Sequence, residues 1–209
     1  MPSADPENFV LRSTVTSPFG RKVRMAAEVL GVSDRIALVA ANPQDETDTL
    51  RAQNPLGKMP CLLLADGSAI YDSGVIIEFL QEVAGSERLL PARGLARFKA
   101  LTRARLADGI TEATILVVYE GRFRDAGTQS ERWLAYQRGK IARALAAFEA
   151  SPPASAKTDI VAIGLSCALG YLDWRKPVEW RQSHPRLVAW FADFAKFEPA
   201  FERTRAEAA

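Results

Sequence analysis

The amino-acid sequence predicts an α/β domain followed by an all-α domain. Short apolar runs alternate with helical patterns up to residue 85, and the pair Asp66-Gly67 marks a tight turn between two of those runs. Beyond Gly94, the apolar residues recur at helical spacing. The expected boundaries are therefore 1–85 for the α/β domain, 86–94 for a linker and 95–209 for the helical domain.

The α/β domain is expected to follow the order β-α-β-α-β-β-α. Its strands are the apolar runs at 9–11, 35–40, 61–64 and 68–71. The first two strands flank a helix, which favours a parallel pair, whereas the last two are joined by a hairpin turn. The predicted sheet is therefore parallel in its first half and ends in a hairpin.

The helices of this domain have recognisable start and stop signals. Ser17 and Pro18 mark the first start, because serine is a favoured N-cap and proline fits the first helical turn. Gly31 marks the end of that helix. The polar segment 42–53 is expected to be a loop with an irregular helix, and the Asp-Ser pair at 72–73 opens the last helix of the domain.

The all-α domain is predicted from four helical patterns. They lie at 95–116, 141–148, 160–172 and from Pro185 onward. The third pattern is apolar on nearly all sides, which is typical of a central buried helix. It is shorter than the ~20 residues that a membrane-crossing helix needs.

Composition indicates an ordinary globular protein. The chain has 209 residues, of which 48% are apolar and 25% charged, and its net charge is +2. These values argue against disorder and give no support for nucleic-acid binding. Cys61 and Cys167 are too few for a disulfide framework and are expected to be buried. No export signal opens the chain, so we expect a cytoplasmic protein that binds neither nucleic acid nor a membrane.

The sequence gives no indication of a metal site. His184 is the single histidine, and it precedes Pro185 at a predicted helix start. We expect no catalytic role for it, because it lies far along the chain from the other polar motifs. No cluster of histidine, cysteine and carboxylate residues has the spacing of metal ligands.

Three motifs occur in order along the chain. They are Thr-Ser-Pro-Phe at 16–19, Asn-Pro-Leu-Gly-Lys-Met-Pro at 54–60 and Asp-Ser at 72–73. Together with Ala-Leu-Gly-Tyr-Leu-Asp at 168–173, they make the sequence similar to the cytosolic glutathione transferase family. Within that family it resembles the bacterial YibF-type branch, with a serine-type active site.

The resemblance implies a thioredoxin-like domain that binds glutathione, followed by the helical domain of the glutathione S-transferase fold. The helical domain would line an apolar pocket for a second, electrophilic substrate. Glutathione would be a co-substrate, and members of the family commonly form homodimers. The implied role is that of a detoxifying transferase.

By the same resemblance, Ser17 matches the residue that activates the glutathione thiol, and Phe19 lies beside it in the glutathione site. A helix N-terminus favours a negative charge, and a serine hydroxyl can donate to a thiolate while its oxygen caps the helix. The alternative is that Ser17 only caps. Thr16 and Ser13 are the other hydroxyl residues near enough in sequence to contact the thiol.

The resemblance also assigns Met59 and Pro60 to glutathione binding. In the family this X-Pro bond is cis, and the residue before the proline pairs with the cysteinyl backbone of glutathione in the manner of an added strand. The alternative is an ordinary proline before a strand. Lys58, with Gln53 behind it, would either reach the glycyl carboxylate or remain solvated.

Asp72 and Ser73 would bind the γ-glutamyl end of glutathione. Ser73 and the amides of a helix N-terminus suit its carboxylate, whereas Asp72 suits its ammonium group. The family more often has glutamate before this serine, and the shorter aspartate would shift the ammonium contact. The alternative for the pair is an ordinary helix cap.

Asp108, Glu112 and Tyr119 are the candidates for the second-substrate pocket. The two carboxylates lie four residues apart and share one helix face. The alternative is a solvated acidic face balanced by Arg103 or Arg105. Aromatic residues of the helical domain would line an apolar wall or else belong to the core, namely Tyr119, Phe123 and Trp174.

The leading prediction is an enzyme that activates the glutathione thiol for attack on an electrophilic, apolar compound. The same thiolate would also serve isomerisation, dehalogenation or peroxide reduction, and the motifs do not separate these reactions. A different class is a non-catalytic glutathione- or protein-binding regulator that keeps the fold. No cysteine lies at position 17, which argues against the disulfide-exchanging branches of the family.

Overall fold

The structure of the protein, a computed structural model, describes residues 8–125 and 127–206. The described residues form two compact units. The first unit runs to Leu90 and resumes at Ala200, and the second unit is Pro91–Pro199. The sequence-based boundaries assigned the C-terminal segment to the helical domain, whereas its contacts are with the first unit.

The strands of the first unit form one mixed sheet. They are β1 (Phe9–Arg12), β2 (Ile36–Val39), β3 (Cys61–Leu63) and β4 (Ala69–Ile70). The order in the four-stranded sheet is β2-β1-β3-β4. β1 is parallel to β2, and both the β1–β3 and the β3–β4 pairs are antiparallel. The predicted α/β class and the order β-α-β-α-β-β-α are confirmed.

The helices follow the predicted order, with one addition at the C-terminal end. Their bounds are α1 (Pro18–Leu30), α2 (Leu50–Gln53), α3 (Ser73–Val83), α4 (Gly94–Phe123), α5 (Glu131–Ala150), α6 (Ile160–Arg175), α7 (Pro185–Phe197) and α8 (Ala200–Arg203). Ser17 caps α1, and Gly31 ends it with a φ of 72°, as the sequence predicts. The short helix α8 was not predicted, because four residues are too few for an apolar period.

Three strand ends meet at one edge of the sheet. β1 ends at Arg12, which is paired with Cys61 at the start of β3. β4 is antiparallel to β3 and pairs Ile70 with Leu62, so β4 ends at the same edge. The segment leading to α1, the loop before β3 and the start of α3 are each connected directly to one of these ends. The topology therefore brings the three predicted motifs to one edge.

The core of the first unit combines side chains of the sheet with side chains of α1 and α3. Its fully buried residues include Phe9, Leu11, Val23, Met25, Leu62, Ile76 and Leu80. The Phe9 ring also packs edge-on against Phe79, with 5.5 Å between the ring centroids. Because apolar burial of this kind fixes α1 and α3 against the strands, the starts of both helices are held on a rigid base.

The second unit is helical, as predicted. α4 packs against α5 and α6. α6 is buried over most of its length, which confirms the predicted central helix. Asp159 caps α6 by accepting hydrogen bonds from the amides of Val161 and Ala162, both at 3.0 Å. Among the described helices, none is both long enough and apolar enough to cross a lipid bilayer.

Arginine residues of α1 join the C-terminal segment to the first unit. The Arg21 guanidinium donates to the Phe201 carbonyl at 2.6 Å and lies over the Phe201 ring. Arg24 donates to the Thr204 carbonyl at 2.9 Å and to the Val15 carbonyl at 3.2 Å. These contacts are the physical reason why α8 belongs with the first unit rather than with the helical domain.

Candidate functional site

The start of α1 presents a serine hydroxyl and a backbone amide. Ser17 is buried, and its Oγ accepts a hydrogen bond from the Gly20 amide at 3.1 Å. This bond uses the oxygen as acceptor, so the hydroxyl proton is still available to a ligand. The Phe19 amide has no hydrogen-bond partner among residues 8–125 and 127–206. Both groups can therefore donate to an anion at this helix N-terminus.

Ser13 and Thr16, the two other hydroxyl candidates, differ from Ser17 in their surroundings. Ser13 is fully buried against the first turn of α1, where a Cβ atom on Gly20 would lie 2.0 Å from its Oγ. Thr16 is exposed, and its Oγ1 lies 3.1 Å from that of Thr14. Neither residue caps a helix. Ser17 differs from both in lying at the positive end of the α1 dipole.

Asn54 holds the loop before β3, a role that the sequence analysis did not identify. Its side chain is buried, with Nδ2 donating to the Lys58 carbonyl at 2.8 Å and Oδ1 accepting from the Leu56 amide at 3.0 Å. The Gly57 amide donates to the Asn54 carbonyl at 2.8 Å, and the φ of 59° at Gly57 favours glycine. The Asn-Pro dipeptide, which is a turn signal, was the available hint.

Met59 presents its backbone at the edge of the sheet. The Met59–Pro60 peptide bond is cis, as the resemblance implied. Neither the amide nor the carbonyl of Met59 has a hydrogen-bond partner in the described part of the chain, so both can pair with an extended peptide. The Met59 sulfur lies 3.7 Å from Thr14 Oγ1, which connects this loop to the segment before α1.

Lys58 and Gln53 lie on either side of the turn that Asn54 holds. The Lys58 side chain is exposed. The Gln53 Oε1 is buried and has no hydrogen-bond partner among the described residues. A flexible ammonium group and an unsatisfied amide oxygen are suited to the charged end and the amide of a peptide ligand, respectively. Their contact with a ligand remains a prediction.

Asp72 forms the helix cap that the sequence analysis gave as its alternative role. Its Oδ1 accepts hydrogen bonds from the amides of Gly74 at 2.9 Å and Val75 at 3.4 Å. Ser73, the first residue of α3, is buried, and neither its amide nor its hydroxyl has a partner in residues 8–125 and 127–206. Two donors are therefore available for a carboxylate at the start of α3. The Tyr71–Asp72 peptide bond is cis.

An ion pair between Arg12 and Asp48 fixes the loop beside the end of β1. The Arg12 guanidinium donates to Asp48 Oδ1 at 2.6 Å and to Thr49 Oγ1 at 2.9 Å. Hydrogen bonds from the amides of Asn42 and Leu50 lower the pKa of the Asp48 carboxyl, and the charge of Arg12 lowers it further. The sequence analysis assigned no role to this pair, because its partners lie far apart along the chain.

The candidates in the second unit have different environments. Asp108 is buried, and its carboxylate accepts a hydrogen bond from Arg105 at 3.2 Å, the pairing that the alternative interpretation named. Glu112 is exposed on the same helix. Tyr119 is also exposed, and its ring packs edge-on against Phe123 at 5.3 Å. The role of these residues in a second-substrate pocket remains a prediction.

The histidine and the two cysteines have contacts or burial that fit a structural role. His184 precedes α7, and its Nδ1 lies 2.7 Å from the Trp180 carbonyl. Cys61 and Cys167 are both buried, as expected, and burial raises the pKa of the Cys61 thiol. In the described part of the chain, no group of three or more histidine, cysteine, aspartate or glutamate side chains is arranged to hold a metal ion.

Comparison with known proteins gives a consistent set of relatives. A family model described as "Glutathione S-transferase, N-terminal domain" matches residues 16–83. The Escherichia coli (strain K12) protein described as "Uncharacterized GST-like protein YibF" is 33% identical over 183 residues, which cover 85% of this chain and 89% of that protein.

Two solved structures are similar over nearly the whole chain. A glutathione transferase family member from Pseudomonas fluorescens Pf-5, with bound glutathione, is 41% identical with a TM-score of 0.90, covering 96% of this chain and 100% of that one. A glutathione S-transferase from Methylobacillus flagellatus KT, also with glutathione bound, is 31% identical with a TM-score of 0.86, covering 95% and 99%.

Proposed function

The chain belongs to the glutathione S-transferase family, and on that premise we propose that it is an enzyme that binds glutathione and transfers it to an electrophilic carbon. The observation that carries the proposal is the start of α1. There the buried Ser17 keeps a hydroxyl proton for a ligand beside the unpaired Phe19 amide. Ser17 is the proposed catalytic residue, and the proposed setting is the cytoplasm.

The chemistry requires a thiolate, because the protonated thiol is a poor nucleophile. A free thiol with a pKa near 8.5 is only about 3% ionised at neutral pH. Lowering that pKa by about two units takes about 2.7 kcal/mol of preference for the anion. A helix N-terminus supplies at most ~2 kcal/mol. A hydroxyl hydrogen bond to a charged sulfur supplies about 1.5–3 kcal/mol. The helix contribution alone falls short of this requirement, and the hydroxyl contribution meets it only near the top of its range, whereas their sum is sufficient.

The remaining groups at the sheet edge would hold the rest of glutathione. The amide and carbonyl of Met59 would pair with its cysteinyl backbone, next to Pro60. The Ser73 hydroxyl and amide would bind the γ-glutamyl carboxylate, and Asp72 would face the γ-glutamyl ammonium group. Lys58 would approach the glycyl carboxylate. The support for these roles is the set of unpaired backbone and hydroxyl groups at one edge of the sheet.

The proposed domain roles follow the family. Residues 1–85 would bind glutathione, 86–94 would connect the domains, and the helical domain would line the second-substrate pocket, with Asp108, Glu112 and Tyr119 as candidate lining residues.

We also propose that the protein is a homodimer. The first two turns of α4 carry Leu95 and Phe98, which share one helix face and are 69% and 64% exposed. An apolar pair so exposed is typical of a surface that a second subunit covers. Phe98→Glu should convert the protein to a monomer in light scattering. Tyr136→Glu, a change at an exposed aromatic residue of α5, is the matched control and should leave the mass unchanged.

The primary test of the proposed function is Ser17→Ala. We expect turnover of an activated aryl halide to fall at least tenfold, about 1.4 kcal/mol of transition-state stabilisation. Glutathione affinity should stay nearly unchanged. The pKa of bound glutathione, measured from the ultraviolet absorbance of its thiolate, should rise.

Ser130→Ala is the matched control, because Ser130 caps α5 by accepting from the Trp133 amide. Its loss removes a cap of the same kind without touching the start of α1. An unshifted thiol pKa in glutathione-loaded wild-type protein would contradict the catalytic role of Ser17. Tight glutathione binding without turnover of any electrophile would favour a non-catalytic binding protein instead.

A further inference from the structure

The second unit contains a cluster of aromatic and arginine side chains at its surface. The sequence analysis grouped three of its aromatic residues as an apolar wall or as core but did not include the arginines. We call it the aromatic–arginine cluster, and its members are Tyr119, Arg122 and Phe123 of α4 with Tyr171, Trp174 and Arg175 of α6. Both helices use the same spacing, a tyrosine followed three and four residues later by one arginine and one aromatic residue. This spacing places each trio on one helix face.

The rings of the cluster are in contact, and all of them except the buried Tyr171 are exposed. Tyr119 packs edge-on against Phe123, and Tyr171 packs edge-on against Trp174 with 6.0 Å between centroids. Tyr119, Phe123 and Trp174 are 38%, 59% and 39% exposed. α4 packs against α6, and Tyr171 of α6 interacts electrostatically with Tyr119 and Arg122 of α4, so the two trios form one surface. A flat molecule can therefore stack on this surface.

Both arginines lie over the rings and have no carboxylate partner in the described part of the chain. The Arg122 guanidinium lies 5.1 Å from the centroid of Tyr119, and that of Arg175 lies 3.7 Å from the centroid of Trp174. The Arg175 Nε is buried without a hydrogen-bond partner among the described residues. Arg175 also makes a side-chain hydrogen bond to Tyr171. Stacking on a ring uses the face of a guanidinium, so its remaining N–H groups can bind an anion.

The carboxylates nearest in sequence are already engaged elsewhere. Glu120 pairs with Arg124 at 2.8 Å and accepts from the Ser130 amide at 3.0 Å. Asp173 pairs with Arg181 and accepts from Trp180 Nε1 at 2.9 Å. The two arginines of the cluster are therefore not neutralised by their own helices.

We propose that the aromatic–arginine cluster binds a planar organic anion, namely an aromatic or conjugated carboxylic acid. The ring system would stack on the exposed aromatic faces, and the carboxylate would accept hydrogen bonds from Arg175 and Arg122. One part of the inference rests on the proposed function: if the protein is a transferase, such an acid is the class of its second substrate. It narrows the expected apolar electrophile to one that carries a negative charge.

The arginines also lie in the last turns of α4 and α6, where a cation interacts favourably with the negative end of the helix dipole. That role requires only a positive charge, so lysine would fulfil it. Bidentate binding of a carboxylate by a stacked guanidinium requires arginine. Lysine and glutamine variants therefore separate a ligand-binding role from a purely structural one.

The first experiment measures binding in the absence of glutathione. The probes are 1-naphthoate and 1-naphthamide, which share a ring system but differ in charge, titrated calorimetrically against the whole protein. We expect naphthoate to bind at least tenfold more tightly than the amide. Arg175→Gln and Arg122→Gln should each reduce that preference severalfold, and Arg175→Lys should retain only part of it. Arg143→Gln, at an exposed position of α5, is the matched control and should change nothing.

Equal binding of the two probes, no binding of either, or a charge preference that survives both glutamine variants would overturn the inference. Circular dichroism of each variant checks that the fold is retained, and the lysine variant keeps the charge if a glutamine variant does not fold.

The second experiment compares turnover of two aryl chlorides, 4-chloro-3-nitrobenzoate and the neutral 1-chloro-2,4-dinitrobenzene. In both reactions the glutathione sulfur bonds to the ring carbon, the C–Cl bond breaks, chloride leaves with the electron pair, and the thiol proton passes to solvent. Arg175→Gln should lower kcat/KM for the benzoate alone. Absence of turnover with intact naphthoate binding would contradict the proposed function and leave the anion site supported. Turnover of both chlorides without a preference for the charged one would support the proposed function and contradict the anion site.

Discussion

The proposed glutathione site at the edge of the sheet and the aromatic–arginine cluster offer different kinds of chemical group to a ligand. At the sheet edge, the groups offered to a ligand are mostly backbone amides and carbonyls at the ends of elements, together with the hydroxyls of Ser17 and Ser73. In the cluster, every group offered to a ligand is a side chain on a helix face. Backbone groups suit a ligand that is itself a peptide, whereas stacked rings and guanidinium groups suit a flat anion.

Because of this difference, the two regions should respond differently to mutation. A site made of backbone groups depends on the side chains that hold the loops, more than on those that face the ligand. A site made of side chains depends on its own residues. Mutations of buried loop-holding residues should therefore abolish peptide binding while leaving the cluster intact.

Asn54→Ala tests this dependence with the largest expected effect. The change removes two side-chain hydrogen bonds that hold the loop before β3, so we expect the free energy of unfolding to fall by about 1–3 kcal/mol. Glutathione affinity should fall more than tenfold, because Met59 is no longer held in place, while naphthoate affinity stays the same. Chemical denaturation and calorimetry measure the two effects.

Asn42→Ala is the matched control for this change, because Asn42 Oδ1 accepts from the Gln44 amide in an exposed turn of the same unit. A wild-type glutathione affinity in Asn54→Ala would show that the loop is held by other contacts.

Ser73→Ala tests a group that faces the ligand directly, and its expected effect is smaller. Loss of one hydroxyl hydrogen bond to a charged carboxylate should weaken glutathione binding about tenfold, whereas kcat at saturating glutathione should change less than twofold. Ser68→Ala, in the hairpin turn at the other end of β3, removes a hydroxyl bonded to Asp66 and should leave the affinity unchanged. If Ser73→Ala also left it unchanged, the carboxylate would have to bind elsewhere.

The two regions also differ in how far the sequence predicted them. Caps and turns are local signals, so Ser17, Gly31 and the Asp-Ser pair at the start of α3 could be placed from neighbouring residues alone. The order of the elements, the parallel first pair and the final hairpin followed from the alternation of strands and helices. The strand order β2-β1-β3-β4, which brings the three motifs to one edge of the sheet, came from the structure.

Contacts between distant residues could not be predicted in the same way. Arg12 and Asp48, or Arg24 and Thr204, are separated by a strand, several helices or nearly the whole chain, and nothing near either partner identifies the other. The aromatic–arginine cluster was predicted only in part for the same reason. The sequence analysis named Tyr119, Phe123 and Trp174 together as an apolar wall or as core. The arginines were not included, because only the packing of α4 on α6 makes these residues one surface.

Asp48→Asn tests a contact between residues that are distant in sequence, the ion pair with Arg12, and its expected effect on stability is the smallest. The pKa of Asp48 is lowered in the folded state, so its stabilising contribution is present above the unfolded-state pKa of about 3.9 and is lost as the pH falls through the folded value. Asp48→Asn should therefore lower stability at neutral pH and flatten its decline in acid, as urea denaturation across a pH series would measure. Asp34→Asn, at an exposed residue of the same unit, should leave the profile unchanged. If stability declined as steeply in acid in Asp48→Asn as in the wild type, other carboxylates would be responsible for the decline. Naphthoate binding at neutral pH should be unaffected in either variant.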